Sequence, residues 1–105
     1  MSDPQEIMRC LPMCPKYFIV SPASKPWRPL LRYNPSADEF MVHMQVMGGD
    51  GELTTISGAY FNNSPDGLAA AVRQYAEVMA RYLNDVAVVA ARQAEGGLGF
   101  VSAHP

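Results

Sequence analysis

Residues 64–94 constrain the fold of this chain more than any other stretch. Ser64 is a good N-cap, Pro65 suits the first helical turn, and Asp66 sits where a helix end is positive. Behind them Leu68, Val72, Tyr75, Met79, Tyr82, Val86 and Val89 recur at alternating steps of four and three, a heptad-like apolar seam. Gly96-Gly97 stops the pattern after Ala94. Projected at about 100° per residue, Leu68, Val72, Ala76, Met79, Leu83, Val86 and Ala90 fall on one arc. Tyr75, Val78, Tyr82 and Val89 widen that arc on one flank. The opposite face carries Arg73, Glu77, Arg81 and Asp85 at i,i+4 steps with alternating sign, the pattern of a solvated face.

Length is the second constraint. About thirty helical residues span roughly 45 Å, whereas an eight-residue strand covers only about 26 Å. A compact domain of this size has a radius of gyration near 13 Å, roughly. A continuous helix therefore overhangs its own sheet. Either it breaks near Asn84-Asp85, a cap-like pair, and folds back, or it stays whole and a partner covers its end. The alanines Ala87, Ala90 and Ala91 leave room for a second helix, which favours the covering partner over the fold-back.

Upstream of the helix lies a hairpin. Phe40 to Met47 puts Phe40, Val42, Met44 and Val46 on one side and Met41, His43, Gln45 and Met47 on the other. Gly48-Gly49-Asp50-Gly51 supplies residues that tolerate positive φ in a tight reversal. Glu52 to Tyr60 returns, and pairing Met47 with Glu52 sets His43 opposite Ile56. Lys16 to Ser21 reads as an earlier strand, with Tyr17, Phe18, Ile19 and Val20 as its apolar run and Pro22 ending it. The prolines at 22, 26 and 29 mark a loop, and Leu30 to Tyr33 is a short second strand. Asp3, Pro4 and Glu6 form a helix-start signature for a short helix over 3–10. The tail after Ala94 has no regular pattern.

The expected fold is α+β. An antiparallel sheet of three to four strands carries a short N-terminal helix and a long C-terminal helix packed across it. The 105 residues suit a single domain: an arm over 1–15, the sheet over 16–61, the helix over 64–94 and a tail over 95–105.

Composition excludes several functional classes. Charged residues are 17% of the chain and the formal net charge is −2, so the basic excess of a general nucleic-acid binder is missing. No apolar run is long enough to span a membrane. The acidic, polar start lacks the features of a secretion signal, which makes the cytoplasm the expected location. Cys10 and Cys14 lack companion ligands at metal-site spacing, so no metal or other cofactor is expected, and two reduced thiols are the simpler reading.

Candidate chemistry is sparse. His43 sits mid-strand with no acid placed to orient its ring. The glycine-rich turn lacks the Lys-Ser/Thr ending and following helix of a phosphate loop. Trp27, in a proline-rich loop with Lys25, Arg28 and Arg32 nearby, is either a core plug or a binding anchor. The methionines at 41, 44 and 47 are either gap fillers or an adaptable surface.

Three functional expectations follow. The first is a non-enzymatic macromolecular interaction protein, a regulator, adaptor or inhibitor. It forms a homodimer through its long helix and binds another protein, with Trp27, Arg28, Tyr82, Val86 and Val89 as interface candidates. The second is a small-molecule binding or enzymatic domain, with a pocket between sheet and helix lined by His43, Tyr60, Tyr75 and Tyr82. The third and weakest is nucleic-acid contact through Lys25, Trp27, Arg28 and Arg32. No catalytic residue is expected.

Overall fold

The computed structural model describes residues 8–20, 25–94 and 100–102. The strands are β1 (Tyr17–Ile19), β2 (Trp27–Asn34), β3 (Glu39–Met47), β4 (Leu53–Asn62) and β5 (Phe100–Ser102), and the helix is α1 (Pro65–Ala94). They form one antiparallel sheet in the order β4-β3-β2-β1-β5. The α+β class and the long C-terminal helix agree with the sequence reading. The sheet has more strands than expected, because Phe100–Ser102 of the tail returns to pair with β1. The expected helix over 3–10 falls mainly on residues 1–7, outside the described residues. Residues 8–10 supply only one turn, closed by the Leu11 N–H donating to the Met8 carbonyl at 3.3 Å.

The helix is unbroken at Asn84-Asp85. Its start is held by the Ser64 hydroxyl, which accepts the Gly67 N–H at 3.0 Å, a regular N-cap. Gly67 has a stricter role. A Cβ at that position would stand 1.9 Å from the Asn62 carbonyl oxygen, so only glycine lets the chain turn from β4 into α1. The helix then crosses the sheet, and by Tyr82 it has reached β1, where the phenol donates to the Tyr17 carbonyl at 2.7 Å. This crossing is what uses its length: β4 and β1 are the outer members of a four-stranded meander, and β5 must be delivered beyond β1. The long dimension of the protein is 46 Å and its radius of gyration 14.9 Å, above the roughly 13 Å of a compact domain of this size.

The core lies between α1 and one face of the sheet. Ile19, Trp27, Leu31, Phe40 and Val42 meet Leu68, Ala71, Val78, Tyr82 and Val89 there. Burial runs along the Tyr82–Val89 flank, not along the arc centred on Val72, Ala76 and Leu83. That corrects the projection: the flank is the centre of the buried surface, and half of the expected arc faces outward.

Two strand assignments also change. The second strand begins at Trp27, not at Leu30, and includes Pro29 opposite Met44. Proline is tolerated because Leu31 exchanges both backbone bonds with Met13, on the side away from β3. Residue 29 points the same way, and on that side β1 pairs with β2 only through Ile19 and Trp27. No β2–β3 bond needs a Pro29 N–H. The hairpin register is shifted too. Gly48 and Glu52 close the turn, Gly51 takes φ 84°, and Met47 pairs with Leu53 rather than Glu52. A three-residue turn with an αL glycine replaces the tighter reversal. A bulge then lies between the Val42 and Met44 pairs. Ile56 consequently falls opposite Met44, on the helix side, and Ser57-Gly58 falls beside His43.

Candidate interaction surfaces

Of the five interface candidates, three serve the protein's own core. Trp27 is 4% exposed. Its indole N–H donates to Asp85 Oδ2 at 3.0 Å, and its ring meets Tyr82 edge-on at 5.8 Å between centroids. Trp27 thus occupies the core-plug position of the two readings weighed for it. Asp85 is drawn from the supposed solvated face to satisfy the indole, as a buried Trp requires. Tyr82 and Val89 are buried beside it. Burial raises the Tyr82 phenol above its usual pKa. Val86 is only partly covered, packed against the core from the helix flank.

Arg28 lies on the other face of the sheet and is committed there. Its guanidinium sits 4.6 Å from the centre of the Phe18 ring, a cation–π contact. It also donates to Gln45 Oε1 at 2.8 Å and to the Pro15 carbonyl at 3.1 Å. Lys25 and Arg32 are exposed. The basic cluster read from residues 25–32 is therefore divided, with Trp27 inside and Arg28 laid flat.

The residues expected to line one pocket are separated by the sheet. Val42 and Met44 face the helix, so His43 between them faces away, and Tyr60, paired with Met41, does the same. Tyr75 and Tyr82 belong to the helix side, where burial pushes the Tyr75 phenol up to about 12. On the far face, His43 is 4% exposed. Tyr60 meets its ring edge-on at 6.2 Å, and its Nδ1 lies 2.9 Å from where a Gly58 Cβ would be. The bulge and the glycine thus make room for the imidazole. Among the described residues its Nε2 is buried without a hydrogen-bond partner. Burial first, and then the Arg32 charge, hold its pKa below the usual value, so the ring is neutral at pH 7.

Cys10 is exposed and Cys14 half-buried, both as free thiols. Among the described residues no three ligating side chains converge. Among the described residues no helix is long and apolar enough to cross a membrane.

What remains open is the outward half of the helix arc. Leu83 is 56% exposed and Val72 40%, and Ala76, Ala80, Ala87 and Ala90 beside them are exposed as well. Met79 and Val86 border this stripe, half-covered by the core. Between the buried seam and the charged face, the stripe carries no charged side chain from Val72 to Ala90, about five turns. The sequence reading placed Val72, Ala76, Leu83 and Ala90 on one apolar arc but did not say which half of that arc meets the sheet, since periodicity alone does not decide it. Comparison with known proteins adds no relative: no family model, no curated protein and no solved structure matches this chain.

Proposed function

We propose that this protein is a non-enzymatic interaction protein, a regulator, adaptor or inhibitor, that self-associates by packing α1 against α1 of a second copy and acts by binding another protein. The exposed stripe of Val72, Ala76, Leu83 and Ala90 carries this reading. Its steps of four, seven and seven keep it on one line of the helix, and its alanines permit the close approach of a second helix. A charge-free apolar stripe along a helix of this length is costly to leave in water and stabilising to cover. Light scattering coupled to size exclusion tests it. Leu83→Glu is expected to lower the mass to half that of the wild type at the same concentration, with the circular dichroism spectrum unchanged. A wild type that stays monomeric at high concentration, or a mass indifferent to Leu83→Glu, sinks the reading.

A further inference from the structure

We propose that the outer edge of β4 is a second self-association site, pairing antiparallel with β4 of another copy to continue the sheet. The contact is separate from the helix stripe and stands or falls without it.

Strand β4 is the ten-residue edge of the sheet, and among the described strands nothing pairs on its outer side. The other edge, β5, has three residues. Natural edges of this length are protected by charge or proline, yet Leu53 to Asn62 contains neither a charged residue nor a proline. Its one irregularity is the bulge beside His43, which leaves Leu53 to Ser57 as an uninterrupted run.

The register says which backbone groups are free. Gly48 N–H bonds to the Glu52 carbonyl at 2.8 Å, so 52, 54 and 56 direct their backbone groups to β3, while Leu53 and Thr55 direct theirs outward. A two-fold axis at Thr55 makes each Thr55 N–H meet the Thr55 carbonyl of the other copy. That register also matches side chains. Ile56, 47% exposed on the helix side, comes opposite Thr54 of the second copy, and Thr55 lies beside Thr55, both favourable cross-strand pairs. Leu53 comes opposite Ser57. Glu52 comes opposite Gly58, so no like charges meet. A second copy is the occupant because the strand is complementary to itself about this axis.

The test uses the full chain with the helix contact removed. The Leu83→Glu protein is expected to be a dimer by light scattering, and Leu83→Glu/Thr55→Pro a monomer. Proline at 55 removes an outward N–H and leaves the β3 ladder whole. The Leu53 amide should also exchange about tenfold more slowly in the concentrated Leu83→Glu protein than in the same protein diluted to a monomer. This amide readout does not depend on how proline affects folding, and an exchange rate indifferent to dilution overturns the proposal. A monomeric Leu83→Glu protein at high concentration overturns the proposal, as does a double variant that stays dimeric. Were Leu83→Glu without effect while Thr55→Pro halved the mass, the edge contact would stand and the helix reading would fall.

Discussion

Tyr82 and Leu83 are neighbours on one helix, both large and both apolar in bulk, and the fold uses them oppositely. Tyr82 is 6% exposed and donates a hydrogen bond to β1, whereas Leu83 faces outward with more than half its surface free. The same division runs along all of α1. Ala71, Val78, Tyr82 and Val89 are enclosed by the sheet, and Val72, Ala76, Leu83 and Ala90 are not. Hydrophobicity alone therefore did not decide burial here. The sheet is wide enough to cover one half of a broad apolar arc, and the other half is left for something else.

The comparison can be broken at either flank. Tyr82→Ala should have the largest effect, roughly 3–5 kcal/mol in urea unfolding, from lost aromatic volume and the lost bond to Tyr17. A loss under about 1 kcal/mol would mean that the buried flank is not the anchor. Trp27→Phe should come next, at roughly 1–3 kcal/mol, because it leaves the half-buried Asp85 carboxylate without the indole N–H. If Trp27→Phe and Asp85→Asn each cost nothing, the bond contributes nothing to the docking of α1.

The far face of the sheet provides a third, pH-dependent measure. Folding lowers the His43 pKa by burial, so the unfolded chain binds the proton more readily than the folded one. The associated stability is intact above the unfolded value of about 6.5 and is lost as pH falls through and below it. Wild type should therefore lose more stability between pH 7.5 and 5.5, roughly, than His43→Gln does. Asp38, held below its usual value by Tyr33 and then Asn63, titrates beneath that window and does not mask the effect. Equal slopes for the two proteins would show that the imidazole is solvated. Leu83→Ala should have the smallest effect on the unfolding of a single chain, within about 0.5 kcal/mol. A larger cost at micromolar concentration, absent on dilution, would locate its role in association.

Much of the fold was legible in the chain. The cap at Ser64 and the period of the seam mark one long helix, but the sequence left its continuity past Asn84-Asp85 open, and the structure shows it unbroken there. The side-chain alternation of β3 placed Phe40, Val42, Met44 and Val46 on the core side, where they lie. The register of β4 was not legible. It depends on the αL geometry at Gly51 and on a bulge that accommodates His43, and neither leaves a period in the sequence. Pro29 misled for a related reason, since proline disqualifies a strand only if its N–H is needed, and that depends on which neighbour lies on which side. Gly67 carried a faint signal. A glycine in the first turn of a helix costs stability relative to alanine, and its presence asks for a close approach, here by Asn62.

By itself the sequence determined the start of the long helix, the existence of the β3–β4 hairpin, which residues are apolar, and that the helix arc is too wide for one surface to cover. Tertiary structure decided which half of that arc is covered, that Trp27 and Asp85 face each other across 58 positions of chain, and that β5 closes against β1. These are relations between residues distant in sequence. They are set by the angle at which α1 crosses the sheet, and local propensity carries no information about that angle.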